Sequence, residues 1–155
     1  MNTQEKFQKD LTQGLKDEKK VAAILKSRYN CNIIDFNPSN DSKYDIRIEI
    51  NGKQELIEVK TDTYEKHKGD TGNICVEMYC SNKPSGIKIS QSTIYCFYFP
   101  DKKFMYMIRT EKLRKLIEEK GNQMGYFTGG GDGGRTKGVL IRRDDWKEHF
   151  KVINL

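Results

Sequence analysis

Residues 45–60 read DIRIEINGKQELIEVK, and this stretch decides the fold. Near its middle stands Asn51-Gly52, the strongest short hairpin signal, because both central residues of a type I′ turn need a positive φ. Polar and apolar residues alternate over 43–50 before the turn and, less strictly, over 53–61 after it. The stretch therefore predicts an antiparallel hairpin with a two-residue turn, in which Asp45 lies directly opposite Glu58.

Side chains alternate between the two faces of a strand, so the hairpin has one apolar and one charged face. The apolar face is predicted to join the core and carries Ile46, Ile48, Ile50, Ile57 and Val59. The charged face carries Asp45, Arg47, Glu49, Glu58 and Lys60. Opposite residues have Cβ atoms about 4.5–5.5 Å apart, so Asp45 and Glu58 repel each other. A divalent cation offsets this repulsion, since Mg²⁺ binds one or two carboxylates and leaves its other positions to water and phosphate.

Lys60 lies two residues beyond Glu58 on the same face, about 6.6 Å along the strand. Its ammonium group can hold an attacking water or stabilise the charge that develops on a phosphate. Asp45, Glu58 and Lys60 together form the set that phosphodiester hydrolysis requires. The alternative is an exposed face on which Lys60 and Arg47 form ordinary surface ion pairs with the acids.

A helix is predicted over 4–29 from apolar residues that recur at helical spacing, namely Phe7, Leu11, Leu15, Ala22, Leu25 and Tyr29. Glu18 falls in the middle of this stripe and is expected to face the body of the protein. A buried carboxylate is costly unless it is paired or binds a metal. Glu18 is therefore a candidate site residue; the alternatives are a partner such as Arg47 or a different helix phase.

The rest of the chain predicts strands at 31–36, 73–80, 94–99 and 104–109 and a second helix over 110–120. The segment 125–138 holds a run of glycines without the pattern of a phosphate-binding loop, which indicates a flexible surface loop. Helices and strands in this order predict a single α/β (α+β) domain spanning residues 1–155.

Composition narrows the choice of partners. The chain has 28 basic and 22 acidic residues and a net charge of +6, which suits a polyanion such as nucleic acid, unless the extra lysines only aid solubility. Four cysteines lack the spacing of a zinc site and are predicted to be buried free thiols: Cys31, Cys75, Cys80 and Cys96. The sequence shows no signal peptide and no apolar run that could span a membrane, so a cytoplasmic location is expected.

The combination of Glu18 on a first helix, Asp45 on a strand, a tight hairpin and Glu58-Val59-Lys60 resembles the PD-(D/E)XK nuclease superfamily, in its phage and Holliday-junction-resolvase-like branch. The resemblance implies a restriction-endonuclease-like core: a three- or four-stranded mixed β-sheet flanked by helices. It implies that Asp45 and Glu58 bind Mg²⁺, for which Mn²⁺ can substitute, that Lys60 serves the water, and that Glu18 supports the metal. One departure is Tyr44, which stands where many members have proline.

The resemblance continues past the hairpin, through the strand and turn around Glu77 and Ser85-Gly86-Ile87. Glu77 is a candidate further metal ligand, and an exposed strand residue is the alternative. Ser85, with Lys83 and Lys88 on either side of it, is a candidate contact to DNA phosphate.

These observations predict a metal-dependent DNA endonuclease that selects branched structures and acts as a homodimer if it cuts both strands. A non-catalytic DNA-binding or assembly module with the same fold is the first alternative. An RNA-directed enzyme is the second, although no stacking motif of the RRM type is present.

Overall fold

The computed structural model describes residues 2–38, 43–63, 69–129 and 134–155, and at residues 7 and 10 the backbone only. The helices in these ranges are α1 (Thr3–Tyr29), α2 (Thr110–Lys120) and α3 (Arg143–Trp146), and short 3₁₀ turns lie at Gly86–Lys88, Gly121–Gln123 and Lys147–His149. The strands are β1 (Asn32–Phe36), β2 (Ile46–Ile50), β3 (Lys53–Thr61), β4 (Asn73–Cys80), β5 (Lys83–Pro84), β6 (Ile94–Phe99), β7 (Phe104–Arg109), β8 (Gly125–Thr128), β9 (Thr136–Arg142) and β10 (Lys151–Asn154). The predicted mixed α/β class is confirmed.

The first helix begins with a capping box between Asn2 and Glu5 and ends at Asn30, which adopts a left-handed conformation. Its buried apolar residues, Val21, Ala22 and Leu25, all lie in its second half. The predicted stripe is wrong further towards the N-terminus, where Leu11 and Leu15 are about half exposed. The side chain of Phe7 lies outside the described residues. The sheet therefore covers only part of α1.

The larger sheet has six strands in the order β1-β2-β3-β6-β7-β10. Only β3 and β6 pair in parallel among its described strands, and the chain between them forms β4 and β5 of the second sheet. The sheet is therefore mixed, as predicted, but it has more strands than the three or four that the resemblance implied. Its parallel centre places Glu58 beside Tyr95 and Lys60 beside Phe97.

The second sheet is antiparallel, in the order β5-β4-β9-β8. Strands β8 and β9 take up both ends of the segment predicted as a flexible glycine-rich loop over 125–138, so that prediction is wrong at both ends. Residues 130–133 lie outside the described part of the chain. The alternation of β9 was missed because the glycine run before it dominates the local composition.

Two apolar clusters hold the layers together. One lies between α1 and the six-stranded sheet and includes Leu25, Ile46 and Ile57. The other lies on the opposite face of that sheet and packs it against α2 and the second sheet. Glu58 and Lys60 lie on this opposite face, at the end of the hairpin away from its turn, so the site is at an open edge between layers.

No helix among the described residues is both long and apolar enough to cross a membrane.

The four cysteines are unpaired, as predicted, and Cys31 and Cys96 are buried. The prediction of burial is wrong for Cys75, which is exposed, and for Cys80, which is half-buried. Cys75 is exposed because its neighbours Ile74 and Val76 point into the core from the same strand.

Candidate active site

The hairpin register was predicted correctly. Asn51 and Gly52 have φ values of 51° and 76°, as a type I′ turn requires, and Ile50 pairs with Lys53. In the same register Ile46 pairs with Ile57, which is the last pair of the two strands, and Asp45 lies one residue before it. The apolar face packs towards α1 as expected. The sequence pattern therefore led to the correct face for each acid.

Asp45 lies just before β2, and backbone contacts hold it against the end of β3. Its N–H donates to the carbonyl oxygen of Ile57 at 2.9 Å, and its Oδ2 accepts a 2.7 Å hydrogen bond from the N–H of Val59. These contacts fix the carboxylate beside Glu58. Its position depends on backbone groups of β3, so it is set by the hairpin itself.

Three carboxyl groups from separate elements interact at this place. Burial, and after it the negative charges of Asp45 and Glu58, together raise the pKa of Glu18 to about 7. Burial also raises the pKa of Asp45 and of Glu58, although the ammonium of Lys60 acts to lower both and the N–H of Val59 acts to lower that of Asp45. The cluster therefore favours taking up a proton or a cation near neutral pH.

Lys60 is the cation of the cluster. Its Nζ lies 3.1 Å from Oε1 of Glu58, and about half of its side chain is exposed. Burial acts to lower the Lys60 pKa, but the charge and hydrogen bond of Glu58 outweigh it and raise the pKa. Lys60 is therefore protonated at neutral pH and reaches solvent. Arg47, the partner considered for Glu18, pairs with Asp35 instead.

Two cavities of about 400 Å³ each meet at the acids, and Asp45, Glu58 and Lys60 line both. The first, which we call the helix cavity, is bounded by α1 and is also lined by Gln13, Gly14, Asp17, Glu18, Val59, Thr61 and Thr63. The second, the hydroxyl cavity, lies against β4 and the turn after β5 and is also lined by Glu77, Ser85, Gly86, Ile89, Ser90 and Tyr95. Six of the predicted site residues thus line one continuous trough: Glu18, Asp45, Glu58, Lys60, Glu77 and Ser85.

The turn after β5 approaches β4 very closely because residue 86 is glycine. Gly86 has a φ of 52°, and a Cβ atom there would lie 2.3 Å from the carbonyl oxygen of Glu77. This contact brings Glu77 and Ser85 to the hydroxyl cavity. Both predicted residues therefore join Asp45 and Glu58 at the site.

The two predicted phosphate-binding lysines lie further out. Lys83 is exposed on β5, and the ammonium group of Lys88 lies 4.9 Å from the centre of the Tyr79 ring. Neither lines the two cavities. Their contact with DNA phosphate stays a prediction, and it would concern nucleotides beyond the site.

Sequence reasoning missed Asp17, Ser90 and Tyr95. Asp17 is buried and accepts a 3.1 Å hydrogen bond from Gln13 one turn earlier. Ser90 lies 29 residues and Tyr95 34 residues after Thr61, the last residue of the hairpin. Tyr95 reaches the hairpin through the parallel pairing of β3 with β6. Local periodicity indicates that 94–99 is a strand but not which strand lies beside it.

The arrangement places three carboxyl groups next to one ammonium group. Within the described ranges no group of three or more His, Cys, Asp or Glu side chains could hold a metal ion by itself. Mg²⁺ binds carboxylate oxygens together with water and substrate oxygens, so a metal at these acids stays a prediction.

Comparisons with protein-family models, with curated proteins and with solved structures returned no match to this chain.

Proposed function

We propose that this chain is a Mg²⁺-dependent deoxyribonuclease that hydrolyses phosphodiester bonds, with selectivity for branched DNA of the junction-resolvase kind. The observation that carries the proposal is the meeting of Glu18, Asp45 and Glu58 beside the ammonium of Lys60 at the bottom of one trough. The resemblance of the same residues to the PD-(D/E)XK pattern supports it.

The donor set fits Mg²⁺. Asp45 and Glu58 would hold the cation, and Glu18 would support it from the helix cavity. When bound, the cation supplies charge that neutralises phosphate oxygens and lowers the pKa of a coordinated water. It would also offset the repulsion between acids that contributes to the raised pKa of Glu18 and of Glu58.

The residues of the chain supply the other parts of the reaction. Lys60 is protonated and reaches solvent, so its ammonium group can orient the attacking water and stabilise the charge on the phosphate. The Val59 N–H holds Oδ2 of Asp45 in place, and the cation would replace the hydrogen bond between the carboxyl groups of Asp45 and Glu18. Ser85 brings a hydroxyl donor to the opposite wall.

The partner is inferred from charge. The excess of six positive charges favours a polyanion, and Lys83 and Lys88, which are exposed on either side of Ser85, can contact phosphates that flank the site. The unpaired cysteines are compatible with a reducing cytoplasm, where the enzyme would meet DNA.

The deciding experiment incubates the purified protein with plasmid, linear duplex and four-way-junction DNA, each with Mg²⁺, with Mn²⁺ and with EDTA. We expect cleavage with either metal, none with EDTA, and the fastest rate on the junction. Asp45→Asn should be inactive, and Glu49→Gln, an exposed acid on the same hairpin, serves as the matched control.

Folded protein that binds the junction but cuts none of these substrates would favour the non-catalytic DNA-binding module. Cleavage of the corresponding RNA strands alone would favour the RNA-directed enzyme. Two observations together would support the homodimer: plasmid is linearised in a single binding event, and the molecular mass in solution equals that of two chains.

A further inference from the structure

We propose that Tyr95 is a further catalytic residue, whose hydroxyl donates a hydrogen bond to a non-bridging oxygen of the phosphodiester. The inference rests on the proposed function for its substrate. It adds to the site a residue of β6, which lies outside the hairpin and helix motif.

The sheet places Tyr95 next to the acids. In the parallel register of β3 and β6, Tyr95 is the direct neighbour of Glu58 on the face that also carries Lys60. Neighbouring strands lie about 4.8 Å apart, so a tyrosine side chain reaches easily across that distance. Tyr95 is 2% exposed and lines the hydroxyl cavity, and its ring stacks on Phe97 with centroids 5.6 Å apart. Its ring is therefore held by the core while its polar end faces the site.

The hydroxyl of Ser90 acts on that of Tyr95. The Ser90 hydroxyl accepts from the N–H of Ser92 at 3.2 Å and lies 2.6 Å from the Ser92 hydroxyl. Burial raises the pKa of Tyr95, and a hydrogen bond with Ser90 acts to lower it. When both Ser92 groups donate to Ser90 and Ser90 donates to the oxygen of Tyr95, the Tyr95 hydrogen points to the cavity. The same contacts are satisfied when Tyr95 donates to Ser90 and Ser90 donates to the Ser92 hydroxyl, so the Tyr95 hydrogen can turn from Ser90 to an acceptor in the cavity.

A second helix holds this arrangement in place. Arg114 of α2 donates to the carbonyl oxygens of Ile87 at 2.8 Å and of Ser90 at 2.5 Å. These bonds fix the segment that carries Ser90 before any substrate binds. Donors that are fixed in advance stabilise a developing charge most effectively, because they need no reorganisation during the reaction.

Other donors line the same cavity, which indicates an oxyanion as the ligand. The Ser85 hydroxyl is buried and has no hydrogen-bond partner among the described residues, and the ammonium group of Lys60 borders the cavity from β3. A buried hydroxyl without a partner costs free energy that an acceptor would recover. Lys60, Ser85 and Tyr95 thus offer three donors to one space, and a phosphate has several acceptor oxygens.

The test compares Tyr95→Phe with the wild type in single-turnover cleavage of a junction that carries one phosphorothioate of defined stereochemistry at the cut site. We expect the variant to cut the all-oxygen substrate on the order of 10²-fold more slowly. With one of the two phosphorothioate diastereomers, the difference in cleavage rate between Tyr95→Phe and the wild type should be much smaller, because sulfur has already weakened the hydrogen bond that Tyr95 would make. Ser90→Ala, which frees the Tyr95 hydroxyl to rotate, should lose less than Tyr95→Phe.

The matched control is Tyr106→Phe. Tyr106 is a buried tyrosine on the same face of the sheet, but its hydroxyl lies near Arg143 and Asp70, away from the acids. It should cleave like the wild type. If Tyr95→Phe slows cleavage of both phosphorothioate diastereomers by the same factor as it slows cleavage of the all-oxygen substrate, the inference is overturned. That result would exclude a contact between Tyr95 and either non-bridging oxygen.

A binding measurement separates this inference from the proposed function. Calorimetric titration with the dinucleotide thymidylyl-thymidine and Ca²⁺ should show affinity about tenfold weaker in Tyr95→Phe. If the wild type binds but never cuts, the nuclease proposal fails, whereas weaker binding by the variant still supports the contact. If the wild type cuts and the variant equals it in rate and affinity, the inference fails alone. A wild type that neither cuts nor binds contradicts both.

Discussion

Glu55 and Glu58 lie on the same strand, three residues apart, and their pKa values are shifted in opposite directions. Glu55 faces α1 and is buried, with Nη2 of Arg109 2.7 Å from its Oε1 and the hydroxyl of Thr93 on its other oxygen. The hydrogen bond from Arg109 holds the pKa of Glu55 below its usual value in spite of burial. Burial raises the pKa of Glu58, the ammonium of Lys60 acts to lower it, and the charge of Asp45 acts to raise it again.

The comparison shows that burial alone does not identify a functional acid. Glu55 is the more deeply buried of the two, yet a cation and a hydroxyl satisfy it within the protein. Glu58 shares a trough with further acids and with one ammonium group, so its negative charge is incompletely balanced. A group of acids that outnumber the neighbouring cations and are open to solvent favours a functional site over a structural ion pair.

The largest expected effect is on cleavage. Lys60→Ala should slow cleavage by a factor of about 10²–10³, because it removes the group that stabilises charge on the phosphate. It should leave Mn²⁺ affinity nearly intact, since an ammonium is not a metal ligand. Calorimetric Mn²⁺ titration beside a cleavage assay separates the two roles, and full activity in Lys60→Ala would rule out the mechanism.

The next effect concerns the metal. In wild type, Mg²⁺ at a hundred times its dissociation constant should raise the free energy of unfolding by about 2.7 kcal/mol. Asp45→Asn should lose most of this gain, yet be at least as stable as wild type in EDTA, because it removes one of the repelling charges. Melting curves with Mg²⁺ and with EDTA test both statements. An equal metal-induced shift in the two proteins would show that Asp45 is not a ligand.

The buried pair on the other face should show the reverse pattern. Glu55→Gln should lower the free energy of unfolding by about 1–2 kcal/mol, because it weakens the bonds to Arg109 and Thr93 while exposed Arg109 keeps its hydration. Cleavage and the response to Mg²⁺ should be unchanged. Denaturant unfolding and the junction assay measure this, with Glu49→Gln as the control. If folded Glu55→Gln no longer cleaves DNA, Glu55 is needed for the reaction, and the distinction between a structural Glu55 and a functional Glu58 is wrong.

The smallest effect is the pH dependence of the metal-free protein. The pKa of Glu18 rises from 4.5 to about 7 on folding, so the folded state binds more protons than the unfolded state between these values. The stabilising contribution of this group is complete below pH 4.5 and is lost as the pH rises towards 7. Glu18→Gln should flatten this slope. Thermal melts in EDTA across this range decide it, and parallel pH profiles for the two proteins would mean that Glu18 does not titrate there.

Much of the site could be predicted because the hairpin is local. A two-residue turn sets the register, and the register sets the face of Asp45, Glu58 and Lys60. The position of Glu18 followed from helical periodicity. The same reasoning failed for Leu11 and Leu15, since periodicity defines the face of a helix but not how far along it the sheet extends.

The sequence by itself determined the hairpin, the charged face at its open end and the helix glutamate that joins it. It determined these because turn chemistry and alternation act over a few residues. Only the tertiary structure decided that Tyr95 stands beside Glu58, that Arg109 neutralises Glu55, and that Gly86 brings Ser85 to the trough. These contacts join residues far apart in the chain, and pairing between distant strands depends on how all the layers pack, which no local pattern encodes.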